Sequence, residues 1–178
     1  MRRATRCDRS YAAPMRRYFI LAALLVSAGF AGEDWGAAQF LIGHWSGEGS
    51  GQAGAGSGSF SFTPDVQGKV LVRKSYAEYP AQGGKPAYRH DDLMIVYRDE
   101  TSRQLRAIYF DNEDHVIRYT AKAADGGIVL VSDGGANEMR YRLTYTPDGK
   151  DRVKLKFEIA PPGKEFATYI EAAARRDQ

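Results

Sequence analysis

His90-Asp91-Asp92 is the first stretch in which an imidazole stands beside carboxylates, the pairing used in both general acid–base catalysis and metal ligation. On a strand, adjacent residues point to opposite faces, so only His90 and Asp92 can converge, and a metal would need further ligands from elsewhere. The stretch therefore reads as a polar strand start. Asp111, Asp114 and His115 surround a second polar point, a turn in which Asp and Asn side chains commonly bond the local backbone. His44 adjoins Trp45 and is expected to face solvent or to cap one end of the fold.

Other chemistries lack their parts. Gly49-Ser-Gly51-Gln-Ala-Gly54 matches the dinucleotide G-x-G-x-x-G pattern in form, but that pattern has a mechanism only where a strand leads through it into a helix. No Gly-Lys-Ser/Thr ending follows, which excludes a phosphate-cradling loop, and no Gly-x-Ser-x-Gly elbow is present. Cys7 is the only cysteine and lies upstream of the apolar export run. No catalytic residue and no metal ligand is assigned, and nothing marks the chain as an enzyme.

The elements that would position such groups are strands. From Trp45 on, short runs rich in aromatic and β-branched residues alternate with Gly, Pro, Asp and Asn about every ten residues. Ten are expected, over 45–52, 57–65, 69–79, 88–98, 104–112, 115–123, 127–133, 138–146, 151–159 and 165–174. In the eighth, Met139, Tyr141, Leu143 and Tyr145 share one face against Glu138, Arg140, Arg142 and Thr144; in the ninth, Val153, Leu155 and Phe157 oppose Lys154, Lys156 and Glu158. One face is dry and one wet. Links such as Ala124-Asp125-Gly126-Gly127 and Pro147-Asp148-Gly149-Lys150 are too short for a parallel return, so the strands are antiparallel. The predicted fold is all-β, a ten-stranded up-and-down antiparallel barrel, preceded by a short helical turn within Glu33-Ile42 that plugs one end.

At 178 residues the chain fits one domain. Met15-Arg16-Arg17 followed by an apolar run of 13 residues, Phe19 to Ala31, has the layout of a secretory signal peptide, with cleavage expected after Ala28 or Ala31. The run is shorter than the ~20 residues of a spanning helix. The expected division is 1–31, upstream extension and signal peptide, and 32–178, a single barrel domain exported to the periplasm or beyond. Without residues 1–31 the chain keeps 19 basic and 21 acidic residues, so its formal charge moves from +3 to −2. That balance gives no support to nucleic-acid binding, which needs a clustered basic face.

Phe40-Leu-Ile-Gly43-His-Trp45-Ser-Gly47-Glu-Gly49 resembles the Leu-x-Gly-x-Trp-x-Gly-x-Gly opening of the nitrobindin-like and DUF1579-like barrels, lipocalin-like members of the calycin superfamily. Ile95-Val-Tyr97-Arg-Asp99 and Tyr109-Phe-Asp111-Asn112 are similar to later elements of the same group. The resemblance implies a ten-stranded calycin-like barrel with an internal cavity and, in the nitrobindin branch, ferric haem on a histidine near the C-terminal end. Phe166 to Ala174 holds no histidine, the last being His115, so no cofactor is expected. Trp45 reads as a plug that closes the barrel base, with Gly43 and Gly47 permitting close backbone approach around it. Arg73, Tyr76, Tyr97, Tyr109, Arg118, Met139, Tyr141 and Tyr145 are the residues that could line a cavity. Arg73 and Arg118 interrupt apolar runs; each is expected to point outward, and if inward to need a partner. The function expected is binding of a small hydrophobic or amphipathic ligand. A haem barrel with nitrogen-oxide or oxidant chemistry and a ligand-free structural domain of the cell envelope stand as alternatives.

Overall fold

The computed structural model describes residues 34–178, which fall within the compact unit Gly32–Gln178. The expected signal peptide and its cleavage points lie outside the described residues. A 3-10 turn, Gly36–Leu41, leads into ten strands: β1 (Gly43–Gly51), β2 (Gly56–Asp65), β3 (Val70–Tyr79), β4 (Tyr88–Arg98), β5 (Leu105–Asp111), β6 (Val116–Ala124), β7 (Gly127–Ser132), β8 (Arg140–Pro147), β9 (Arg152–Ala160) and β10 (Ala167–Arg176). Each strand pairs antiparallel with its sequence neighbours, and β1 pairs with both β2 and β10, so the sheet closes with no free edge. The expected ten-stranded up-and-down barrel is what the chain forms.

Local sequence explains the turns and the closure. At the β6–β7 hairpin, Asp125 and Gly126 take φ of 48° and 76°, the pair of positive values that a two-residue turn matched to strand twist requires. At the seam, a Cβ on Gly47 would stand 2.0 Å from the carbonyl oxygen of Ala173 on β10, so only glycine allows the first and last strands to meet there. β10 runs two residues past its expected end because Arg176 pairs with Trp45. Its guanidinium also donates to the carbonyls of Ile42 at 2.6 Å and Phe40 at 2.9 Å, which ties the turn to the last strand.

The core fills one end of the barrel. Trp35, Ala38 and Leu41 of the opening segment and Trp45, Phe60, Phe62, Leu71, Met94, Val96, Ile128, Tyr145 and Val153 of the strands are all at most 8% exposed. Trp45 stacks on Phe60 at 6.1 Å, donates its indole N–H to the Leu41 carbonyl at 2.8 Å and lies under the Arg176 guanidinium at 4.2 Å. This end is the floor. The opposite end, where the β3–β4, β5–β6 and β9–β10 connections lie, is the mouth.

Candidate functional site

Strand parity and register decide which side chains reach the lumen. Starting from buried Trp45, the cross-strand row Trp45–Phe60–Ser75–Asp92–Asp111 faces inward, and so does the row Phe62–Arg73–Met94–Tyr109–Ile117. Of the eight cavity candidates, Arg73, Tyr109, Tyr141 and Tyr145 occupy inward positions. The other four do not meet there. Tyr97 pairs with Val70 and Arg106 on the outward parity, and Arg118 is exposed beside Ile108. Tyr76 lines a groove of about 290 Å³ on the outer wall, under the Arg89 guanidinium. Met139 lies in the loop before β8, 44% exposed.

Arg73 departs from the outward expectation. Its guanidinium and the Asp92 carboxylate form an ion pair with both side chains 6% exposed, and Arg73 donates a second bond to Ser75 Oγ at 3.0 Å. Burial alone would lower the Arg73 pKa, but Asp92 on the neighbouring strand, together with the Tyr145 and Tyr109 side chains, more than offsets it and the guanidinium stays charged. A paired arginine is the only kind a lumen this dry tolerates.

Above this pair, toward the mouth, lies a network that no single sequence motif displayed. His90 Nδ1 lies 2.9 Å from Glu113 Oε1, and His90 Nε2 lies 2.9 Å from the Tyr109 hydroxyl. Glu113 accepts from Tyr88 and from His90, and these bonds, the Tyr88 bond first, hold its pKa below the usual carboxylate value. Because an ionised carboxylate only accepts, the Nδ1–H of His90 donates to Glu113. The Tyr109 hydroxyl donates to Asp111 Oδ2 at 3.2 Å. Burial first, and then Asp92, push the Tyr109 pKa up, so this hydroxyl keeps its proton and acts as a donor. The signal for this cluster was parity: His90 and Asp92 share a face, and Asp111 sits directly across from Asp92. Ser75 and Glu113 carried no such signal, since their roles depend on strand order.

Asp111 is the most buried carboxylate of the mouth, its side chain 4% exposed. Burial works against its ionisation, but the backbone N–H of His115, the His115 ring and the backbone N–H of Glu113 outweigh it and lower its pKa. Folded values below the unfolded ones, about 3.9 for Asp and 4.3 for Glu, mean that Asp111 and Glu113 stabilise the fold above those values. The contribution is lost as pH falls through the folded values. The expected melting curve is thus flat with respect to these groups down to about pH 5 and drops below about pH 4. Asp111→Asn should show a smaller drop over the same range when followed by circular dichroism; a wild-type drop reproduced unchanged by the variant would remove Asp111 from the explanation.

Among the described residues no group of three or more His, Cys, Asp or Glu is arranged to hold a metal ion. Haem on a last-strand histidine meets no suitable donor: the inward positions of β10 are Ile170, Ala172 and Ala174, and His90, on β4, has both ring nitrogens engaged. The residues present do not fit that group. The Gly49–Gly54 stretch forms the end of β1 and its hairpin, with no helix after it.

No protein-family model and no curated protein matches the chain. Among solved structures, the crystal structure of Rv2717c from M. tuberculosis is similar over 80% of this chain and 98% of its own, with a TM-score of 0.56 and 16% identity. A de novo designed fluorescence-activating β-barrel matches over 79% of this chain and 97% of its own, with a TM-score of 0.43 and 11% identity. The likeness to Rv2717c, together with the closed ten-strand order, shows a closed ten-stranded antiparallel β-barrel fold.

Proposed function

We propose that the chain is an exported binding protein that takes a small hydrophobic or amphipathic molecule into the mouth of its barrel. The observation that carries the reading is the division of the lumen. Floor positions such as Leu71, Val96, Ile128 and Val153 are at most 2% exposed, whereas the inward-facing Tyr109, Ile117, Tyr141, Phe157 and Ile170 of the mouth half keep partial exposure. Apolar surface left wet inside a concave wall favours a ligand by roughly 25 cal/mol for each Å² it covers. The polar cluster of Arg73, Asp92, His90 and Tyr109 beneath supplies the few directional groups that orient a bound molecule.

The opening motif at Phe40–Gly49 supports a place among the DUF1579-like barrels, and the absence of a histidine from Phe166 to Ala174 sets the chain apart from the haem-binding nitrobindin branch. The basic start and apolar run of Met15–Ala31 support export to the periplasm or beyond. Among the described residues no helix is long and apolar enough to cross a membrane.

The neutral dye N-phenyl-1-naphthylamine tests the reading. Saturable fluorescence enhancement by wild type, abolished in an Ile117→Trp variant that fills the mouth but still melts cooperatively, is expected. No enhancement, or enhancement indifferent to Ile117→Trp, would favour a ligand-free structural domain instead.

A further inference from the structure

The outer wall of the barrel is not uniform. β4 presents Leu93, Ile95 and Tyr97 outward, and register places Lys74, Val72 and Val70 of β3 on one side of them and Phe110, Ile108 and Arg106 of β5 on the other. Only the two diagonal corners of this field, Lys74 and Arg106, are charged. Leu93, Ile95, Tyr97, Val72 and Ile108 each keep part of their surface exposed, and Phe110 is 39% exposed. On the opposite wall the outward positions of β9 and β10 carry Lys154, Lys156, Glu171 and Arg175 instead. A continuous apolar field confined to one side of an otherwise polar exterior marks a contact face.

The arrangement of its charges fits a second copy of the same chain. A two-fold axis along β4 sets Leu93, Ile95 and Tyr97 on their own counterparts and Val72 on Ile108 of the second copy. Lys74 then meets the second copy's Phe110 ring, as in a cation–π contact, and Arg106, already paired with Asp133, meets Val70. At the rim, exposed Arg118 beside Ile108 faces Thr63 of the second copy, and the exposed Asp65 two residues on is its diagonal neighbour, within reach of a long side chain. Opposite charges therefore meet at both rims. An axis across the strands would instead stack Arg118 on Arg118. Strands about 4.8 Å apart and outward residues about 6.8 Å apart give a field of about 400 Å² on each copy. That is below the ~800 Å² a side of a standard stable interface, so the association is reversible.

We propose that the outer wall of β3, β4 and β5 is the contact face of a reversible two-fold dimer of this chain, closest along β4 and flanked by Arg118–Asp65 pairs. The two barrels stand side by side with their mouths pointing the same way and both open. The inference stands independently of the binding reading above, since it uses no lumen residue.

Sedimentation equilibrium of the protein purified from its host, from about 1 μM to about 500 μM, tests it. The average mass should climb from one chain toward two across that range. Ile95→Lys sets two ammonium groups against each other on the axis and should hold the mass at one chain throughout, in a protein that still melts cooperatively. Arg118→Asp and Asp65→Arg each bring like charges together at the rim and should weaken association about tenfold. The double variant restores opposite charges with their signs exchanged, and should return to within about threefold of wild type. A single-chain mass at every wild-type concentration would overturn the proposal. So would a dimer that Ile95→Lys leaves intact, or losses from the two charge variants that simply add.

Discussion

Trp45→Ala lowers the free energy of unfolding by about 4 kcal/mol, the cost typical of deleting a large buried aromatic side chain from a packed core. Trp45 is 1% exposed, and its indole does three things at once: it stacks on Phe60, bonds the Leu41 carbonyl and supports the Arg176 guanidinium. Alanine removes all three and leaves a void that β1, pinned between β2 and β10, cannot close by moving. Trp45→Phe should retain part of the stacking and lose about half as much. Urea denaturation followed by circular dichroism measures both. A loss for Trp45→Ala of less than about 1.5 kcal/mol would mean that the floor is held by the helical turn alone.

The second large effect concerns the ion pair in the lumen. Arg73→Met leaves Asp92 charged and buried without its partner, which costs about 3–5 kcal/mol, and Asp92→Leu strands Arg73 in the same way. Combining the two removes both charges and fills the space with apolar groups. The double variant should therefore recover most of either loss, giving a coupling energy of several kcal/mol. Additive losses would show that the two residues act separately and that the register placing Arg73 opposite Met94, one inward position from Asp92, does not hold in solution.

Much of the architecture was legible because hairpin proteins write their elements locally. The segment expected over 88–98 coincides with β4, and most other ends differ by only one or two residues. Turns at Asp125-Gly126 and Asp148-Gly149 are marked by the residue types that left-handed φ requires. The lumen was harder to read at β3. There the outward face carries Val70, Val72 and Tyr76 while the inward face carries Leu71, Arg73 and Ser75, so hydrophobic alternation suggests the wrong side for the arginine. The cause lies in the neighbours: Val72, Ile95 and Ile108 form one apolar row on the outer wall, so strands β3 to β5 are apolar on both faces. Where both faces are oily, alternation loses its sign, and only cross-strand register assigns inside and outside.

The mouth cluster escaped for a different reason. His90, Tyr109 and Glu113 come from two strands and a turn, and their 2.9 Å contacts arise from pairing that no spacing along the chain encodes. Glycine was informative in the opposite sense. Gly47 was expected to allow close approach, and the partner that comes close is the β10 backbone at the closing seam.

Native mass spectrometry of the protein purified gently from its own host is the most direct test of the central claim, that the mouth half of the barrel exists to hold a small molecule. A discrete added mass that survives desalting, disappears on unfolding and is missing from Ile117→Trp is the expected result. A bare polypeptide mass from every preparation, in a protein that also fails to take up the neutral dye, would contradict it.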